Sequence, residues 1–597
     1  VEKSTAEAKL AAAAGDDRLK LRQYASRRRS QMIAKRANWI PDWQQVCDYI
    51  DPSRGQFGTR AAAGTEKPKS KRTKIIDSTA TVCVRTAAAG LSSHMTSKSR
   101  PWFKLTTPSP EVGKIHAVKV WLDDVTRIVT DTLARSNFYK AMPSLYTDDL
   151  CFGLAAMMIL PNDDEVVTFH PLEPGTFAIA LNDAGKVDSL WRTYTKTARQ
   201  LVEKYGVDGP GGEKIADGSK LPDAVQKAYK QNPDQEFNVE SLFEPNPDAR
   251  SGMGPLRVQA VQHRPWREVV WIEGTAADRH GIMEVGGHYE APFVCIRFNP
   301  VGDAVYSTAP AIDALGDIKS LQYWQGQKMR LLDLLAEPPL SIPDSMRNLG
   351  ASVAPRARNY LPQSQVGTEI AATYSPDPRA LMAAKEECEE IRDRLRQAFF
   401  FNLFLMLESL GDQTGRTATE IAERKDEKAS VLGPTLEIVT DEGLDPTVVR
   451  VYRLLERAGR IPPAPEALAN EPVRIEYTSI LAQAMKAAGL SSIERTAAFV
   501  TNMAAAYPEA LDNFDPDAAV EDYAERAGAP ARMLRGEEQR TEIRQGRAQQ
   551  QQQQMALAAA KPVADAAQAV QTLNEAVPVP GSMGDQLAQQ MAGGAAV

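Results

Sequence analysis

The chain is expected to be mainly α with an α+β region, on three observations. Apolar side chains recur every three to four positions in two long runs, 311–336 and 378–407. Two sets of short β-rich segments, bounded by Pro-Gly and Asn-Asp-Ala-Gly turns, interrupt the first half. Helical patterning fills the first 160 residues and the stretch 479–545.

Within 1–310, read as one N-terminal region, the first 160 residues form helical hairpins. Asp77 is expected to cap the alanine- and valine-rich run after it, with Gly90 as the stop. Two basic clusters are candidate nucleic-acid patches: Lys67, Lys69, Lys71, Arg72 and Lys74, and Arg27–Arg29 with Lys35 and Arg36. Solvated charge is the favoured reading of both. From Met157 the period shortens, and Val166–Phe169, Thr176–Ala180 and Leu190–Tyr194 make a meander. Residues 206–255, rich in Gly, Pro and Asp, read as an exposed insertion with one helix at Pro222–Gln231. A second β-rich set is expected near Val258–His263, Glu268–Ile272, Gly281–Glu284 and Phe293–Phe298.

The two long helices follow. In 311–336, Ile312, Leu315, Ile318, Leu321, Trp324, Leu331 and Leu335 share a face, and Pro338 and Pro339 stop the helix because proline lacks an amide donor. In 377–407, a helix from Pro378 aligns Cys388, Ile391, Leu395, Ala398 and Leu405. At about 1.5 Å per residue they span roughly 40 and 45 Å, a matched antiparallel pair with residues 337–376 as a module at its tip. Toward Phe399–Leu407 the second helix becomes apolar almost all round, which predicts burial among several neighbours.

Residues 408–416 are a loop, and Thr417 with Glu420 form a capping box that opens the next helix. Within 417–478, Gly433-Pro434 breaks that helix, and Asp445-Pro446 reads as the N-cap and first position of another. Residues 546–597 are an Ala/Gln-rich tail, disordered or helical where neighbours pack on it.

Composition narrows the function classes. With 597 residues, 43% hydrophobic and 25% charged, the chain has room for several folded domains. Seventy basic against 77 acidic residues leave a net charge of −7, so the whole-chain field does not draw in a polyanion. Any DNA contact must be local or weak. Five widely spaced cysteines without a CxxC disfavour a disulfide framework and a zinc site, and fit a reducing cytoplasm. The N-terminus carries no secretory pattern. The apolar stretches near Leu150–Leu160 and Phe399–Leu407 are about half the roughly 20 residues a bilayer requires, so no membrane span is expected.

Catalytic constellations are not found. The glycines of 206–212 are followed by no Gly-Lys-Ser/Thr, which a phosphate-cradling loop needs, and Gly252-Met-Gly254 runs into proline. Six histidines form no HExxH and no zinc spacing with cysteine. Gly90-Leu-Ser-Ser-His94 lacks the closing glycine of a nucleophile elbow. Asp123-Asp124, Asp148-Asp149 and Asp163-Asp164 are adjacent pairs, read as solvated faces. No catalytic residue, metal site or cofactor is expected, and the chain is not expected to be an enzyme.

Trp39-Ile-Pro-Asp-Trp43, Tyr49-Ile-Asp-Pro52, Asp77-Ser-Thr-Ala, Gly90-Leu-Ser-Ser-His-Met-Thr-Ser and Arg100-Pro-Trp-Phe103 resemble, in that order, the N-terminal signature of podovirus portal proteins, the head-to-tail connectors. The resemblance continues through Pro310–Ile318, Glu337-Pro-Pro, Arg416-Thr-Ala-Thr-Glu-Ile-Ala-Glu-Arg424 and Leu432-Gly-Pro434, covering 39 to about 545. Where that family often has a Tyr-Gly-Arg-Ser-Pro-like run, this chain has Tyr306-Ser-Thr-Ala-Pro310, so a role for that arginine does not carry over.

The resemblance implies the portal fold: a ring, usually of about twelve subunits with heterologous contacts, around an axial DNA channel. The wing would be 1–310, the stem pair 311–336 and 377–407, the clip 337–376 and the channel loop 408–416. Residues 417–478 would be the kinked wing helix and return, 479–545 the crown, and 546–597 a C-terminal helical barrel or tail. Implied partners are double-stranded DNA in transit, a terminase ATPase, major capsid and scaffolding proteins, and tail adaptor or nozzle proteins. The place is the virion vertex, after assembly in the host cytoplasm. Candidate DNA-facing residues are Gly411, Asp412, Gln413, Thr414, Gly415 and Arg416 in the loop, then Lys319, Lys328 and Lys385 on the stem. Arg347, Arg356 and Arg358 are candidate docking residues of the clip. The competing reading is another phage structural ring, of tail or adaptor type, or a helical scaffold.

Overall fold

The computed structural model describes residues 2–55, 57, 74–162, 164–208, 214–216, 221–249, 260–274, 281–341, 371–372, 377–401, 436–468, 473–477, 493–504, 507–527, 533–536 and 539–555. The chain divides into two compact units. The first comprises Val1–Lys104, Val125–Pro462 and Tyr477–Ala482, the second Leu105–Asp124, Pro463–Glu476 and Gln483–Val597.

The principal helices and strands of the first unit are, in order, α1 (Glu2–Ala37), α2 (Ile40–Tyr49), α3 (Thr79–Met95), α4 (Phe138–Phe152), β1 (Leu154–Asn162), β2 (Val166–Leu172), β3 (Phe177–Leu181), β4 (Val187–Thr197), α5 (Ala198–Tyr205), α6 (Asp223–Gln231), β5 (Glu236–Pro245), β6 (Trp266–Ile272), β7 (Glu284–His288), β8 (Phe293–Arg297), α7 (Leu315–Ala336), α8 (Pro378–Ala398) and α9 (Asp445–Arg457). Asp77 caps as expected, its Oδ1 accepting the Thr79 amide at 2.8 Å. Gly90 does not stop α3, which runs on to Met95. A helical glycine costs about 0.5–1 kcal/mol relative to alanine, and burial of Leu91 on the same helix offsets that with about 1.5–3 kcal/mol.

The helical reading of the first 160 residues fails at Gly153, where α4 ends and β1 begins. Gly153 has φ +66°, and a Cβ there would lie 2.5 Å from the carbonyl oxygens of Ser307 and Thr308. Only glycine suits that close approach. From Leu154 to Ile159 every residue of β1 is buried, so its apolar run shows no alternation to distinguish it from a helix.

Two antiparallel sheets of more than two strands form among the described residues. One has the order β7-β6-β5-β4-β3 and the other β8-β1-β2. Residues of β6 alternate between the faces of the larger sheet. Val270 and Ile272 pack with Leu201 and Val202 of α5 and Val225 of α6. Val269 and Trp271 pack with Ala25 and Met32 of α1. The meander and the 223–231 helix agree with expectation. The exposed-insertion reading of 206–255 does not, because β5 is a central strand. Of the strand expected at Val258–His263, the described part is not a strand: Val261–His263 is a 3₁₀ turn, and β7 begins at Glu284 rather than filling Gly281–Glu284.

Helices α7 and α8 are an antiparallel pair, as expected. Asp317 near the start of α7 meets Arg394 near the end of α8 at 3.4 Å. At the other end Leu340-Ser341 pairs antiparallel with Ala371-Ala372. Asp377 caps α8 through the Arg379 amide at 2.9 Å. The helix ends at Ala398, short of Leu407, because Phe400 turns left-handed at φ +55°. Asp445 is not a fresh N-cap. A π-helical turn, Val439–Leu444, leads straight into α9, and Asp445 instead accepts the Tyr477 hydroxyl. The π turn lets the helix continue past Pro446. Thr417, Glu420 and Gly433-Pro434 lie outside the described residues.

In the second unit, 493–504, Pro516–Ala527 and 539–555 are helical, in keeping with the pattern read for 479–545. Arg540 and Arg544 tie the last of these to Glu521 and Asp517 at 2.8 and 2.7 Å. Of the Ala/Gln tail, 546–555 are described and belong to that helix.

Candidate functional site

The recurring motif residues build a framework rather than a reacting centre. Trp43 lies 5.7 Å from Phe57, 6.4 Å from Phe152 and 5.6 Å from Tyr306 between ring centroids, and its indole donates to the Phe152 carbonyl at 3.0 Å. Aromatic contacts of this kind add about 0.5–1.5 kcal/mol each beyond burial. Trp102 stacks on Phe138 at 6.0 Å and donates to the Tyr139 hydroxyl at 3.2 Å. The run Tyr306-Ser-Thr-Ala-Pro310, which lacks the arginine, is a packing element: the Tyr306 hydroxyl accepts the Ile179 amide at 3.3 Å and Ser307 donates to the Gly153 carbonyl.

That framework seats the helix pair at one polar knot. Gln322 of α7 is buried, and its side-chain oxygen accepts the Ile76 and Asp77 amides at 2.7 and 2.8 Å while its nitrogen donates to the Asp77 carbonyl at 2.8 Å. Arg392 of α8 donates to Asp77 Oδ2 through Nε at 3.2 Å and Nη2 at 2.5 Å. Burial alone would raise the Asp77 carboxyl, but hydrogen bonds from Thr79 and Arg392 outweigh it and hold the group below its usual value.

The three stem lysines do not converge. Lys319 donates to Gln45 and lies 6.0 Å from the Tyr49 ring, against α2. Lys328 is half-buried beside Cys388, opposing the rise that burial gives that thiol. Lys385 is exposed. The arginines of α8 are interleaved with acids: Arg396 meets Asp393 at 2.6 Å and Arg392 meets Glu389 at 2.6 Å. Between these charges the pair exposes Tyr323, Trp324, Met329, Leu332 and Met382, the last at 73%. Gly411, Asp412, Gln413, Thr414, Gly415 and Arg416, and Arg347, Arg356 and Arg358, lie outside the described residues.

Several charged features differ from expectation. Asp148 and Asp149 are not a solvated face, since α4 is surrounded and they are 4% and 0% exposed. Arg54 donates to Asp148 at 2.7 Å, yet burial still pushes that carboxyl up to about 7. Neither Asp149 oxygen has a hydrogen-bond partner, and burial, with Glu442 and Asp148 nearby, raises its pKa well above the carboxylate range. The second basic cluster is solvated only in part: Arg27 and Lys35 are exposed, whereas Arg29 and Arg36 turn inward. Arg29 pairs with Glu240 at 2.9 Å, and Arg36 donates to the Gly175 and Phe177 carbonyls at 2.8 and 2.6 Å. Lys74 pairs with Asp48 at 2.7 Å, and the rest of its cluster lies outside the described residues. Ser93 and His94 are neighbours within α3, not on a strand-to-helix turn.

Sequence reasoning missed one feature. Arg264, Arg450, Arg457 and Arg460 line a cavity of about 430 Å³ together with Asn162, His288 and Tyr289. Its residues come from three distant stretches, so no local spacing announces it. Among the described residues, no group of His, Cys, Asp and Glu is arranged to hold a metal, and no helix is long and apolar enough to cross a membrane.

Residues 22–534 match the family described as bacteriophage head to tail connecting protein. A probable portal protein of Bordetella phage BPP-1 is 34% identical over 532 residues, 88% of this chain and 91% of its own. The portal protein of Salmonella phage epsilon15 is 31% identical over 550 residues, 92% and 94% respectively. A chain from the virion of a native gene transfer agent particle covers 72% of this chain and 91% of its own at 14% identity, with a TM-score of 0.25 that carries no argument.

Proposed function

The chain belongs to the bacteriophage head to tail connecting protein family, and from that premise we propose that its copies form the portal ring of a capsid vertex, the channel through which double-stranded DNA is packaged and ejected. The observation that carries this reading is the alignment of two portal proteins along about nine tenths of the chain. The ring has about twelve subunits joined head to tail. The apolar side chains exposed on α7 and α8 support it, because neighbours in a ring cover a face that one chain leaves open. The role is structural. Assembly takes place in the host cytoplasm.

DNA must slide while a separate terminase ATPase supplies the work, so a tight grip would oppose function. Each neutralised phosphate adds affinity through counterion release, and ring symmetry multiplies every exposed cation. The interleaved charges of α8 and the chain's net −7 suit a low-friction conduit. In this reading Gly411 to Arg416 approach DNA, with Gln413 and Arg416 contacting phosphate and Asp412 keeping the contact weak. Arg347, Arg356 and Arg358 dock the terminase and later the tail adaptor.

Negative-stain imaging with native mass measurement tests the assembly: a closed ring of about twelve copies, with a hole admitting duplex DNA, is expected, and a monomer or open filament overturns it. Replacing 411–415 with a short linker should leave rings intact and impair packaging or DNA retention. Full-length packaging at the normal rate would remove the loop's role.

A further inference from the structure

The arginine-lined cavity lies within 1–310 and 417–478, and none of its residues is among the DNA-facing or docking candidates. It opens between the β1–β2 turn, the segment around Tyr289 and the end of α9. Arg264 and Arg457 both lie against the Tyr289 ring, their guanidinium carbons 4.8 and 5.0 Å from its centroid. Arg450 is 3% exposed; its Nε donates to the Ile159 carbonyl at 2.8 Å and its Nη1 to the Glu290 carbonyl at 3.1 Å. The Glu290 carboxylate meets Arg457 at 2.6 and 2.8 Å and Arg450 at 3.5 Å, so two guanidiniums share one negative charge. No carboxylate among the described residues reaches Arg460, which is exposed at the rim. Burial pushes Arg450 down to about 10, Arg457 pushes the same way and Glu290 opposes. The site is thus crowded with like charge in a partly desolvated space, where such repulsion is strongest.

We infer that this cavity binds a phosphoryl oxyanion, held by Arg457 and Arg460 at the mouth with Arg450 behind them. A phosphoryl group offers three or more acceptor oxygens to several guanidinium forks, where a carboxylate offers two. Arg460 supplies the charge that Glu290 leaves unmatched. The volume suits a small ligand and not a duplex, so the source is a free polyphosphate or the backbone of a locally single strand. Neither possibility requires the ring.

Titration calorimetry of the full chain with sodium pyrophosphate tests this. Saturable binding at one site per chain is expected, weakened about ten-fold or more by Arg460→Glu and by Arg457→Gln. Lys227→Glu, an equal charge reversal at an exposed position on α6, should leave the affinity unchanged. Arg460→Glu should also unfold at the wild-type temperature without ligand, which separates lost binding from lost fold. A trithymidylate strand that displaces pyrophosphate supports a nucleic-acid source, and one that fails to displace it supports free phosphate. No binding of either probe, equal weakening by Lys227→Glu, or preference for a glutamate-rich peptide over both would overturn the inference.

Discussion

In the sheet-bearing part of the first unit, guanidiniums are matched one by one to partners far along the chain: Arg29 to Glu240, Arg267 to Glu244, Arg297 to Glu442. On α7 and α8, apart from Arg392, which meets the buried Asp77, the charges are mostly exposed and are matched within a helical turn, or loosely, as Arg394 is to Asp317, Glu387 and Glu390 at 3.4 to 4.0 Å. The apolar side chains divide the other way. The sheets enclose theirs, whereas the helix pair leaves five large ones open. One region is complete within a single chain; the other is finished on one side only.

The largest expected effect tests the completeness of the sheet region. Arg297 is 4% exposed, its Nε lies 3.1 Å from both Glu442 oxygens, and its Nη2 donates to the Gly185 carbonyl at 2.8 Å. Arg297→Ala leaves that carboxylate facing the interior without its cation, and should cost about 3–5 kcal/mol in urea unfolding. A cost under about 1 kcal/mol, the range of an exposed pair, would erase the contrast.

Next comes Asp149. Its folded pKa is raised, so the folded state keeps a proton that the unfolded state releases above about pH 3.9. The stabilising contribution is therefore present in acid and is lost as pH rises. Asn has no proton to lose. The melting temperature of Asp149→Asn relative to wild type should climb between pH 4.5 and 8, and a pH-independent offset would show that the carboxyl titrates normally in the fold.

On the helix pair, Arg394→Ala should cost less than about 1 kcal/mol, since the side chain is 48% exposed and solvent screens its three acids. A loss as large as that of Arg297 would mean that the helix pair relies on its charges as much as the sheets do.

These contrasts follow what was legible in the sequence. The helix pair could be read because one side of each helix is wet, so the 3.6 period survives, and because prolines mark the tip. Its true end was not legible, since Phe399–Leu407 is apolar at every position but Asn402 and gives no sign that Phe400 turns left-handed. The sheets were half legible. β3 and β4 are β-rich pieces set off by turn signals, but β1 is buried from Leu154 to Ile159 and β5 hides its pattern behind Glu240, Ser241 and Glu244, polar residues that are buried. Glu240 and Glu244 belong inside because Arg29 and Arg267 meet them there. No window around β5 contains Arg29. Asp148-Asp149 misled for the same reason: adjacency in sequence shows charge, while burial of α4 on all sides depends on elements brought from elsewhere. The arginine cavity is the extreme case, assembled from three stretches with no motif in any. The framework aromatics were legible as ordered motifs, and the fold gathers them into two clusters, one around Trp43 and one around Trp102.

The smallest effect on stability bears most on assembly. Tyr323 and Met382 are 61% and 73% exposed, so serine at both removes little buried area from the isolated chain and should move its unfolding free energy by no more than about 0.5 kcal/mol. If neighbouring copies cover that face, the same change removes anchoring side chains from every interface of the ring at once, and large aromatic or flexible apolar anchors are where association energy concentrates. Native mass measurement should then show the double variant shifted toward monomer at concentrations where wild type is fully assembled, while circular dichroism stays the same. Two results would break the comparison. A double variant that assembles normally would show that the exposed apolar face is not an interface. One that unfolds alongside its loss of assembly would show that the helix pair was already complete within one chain.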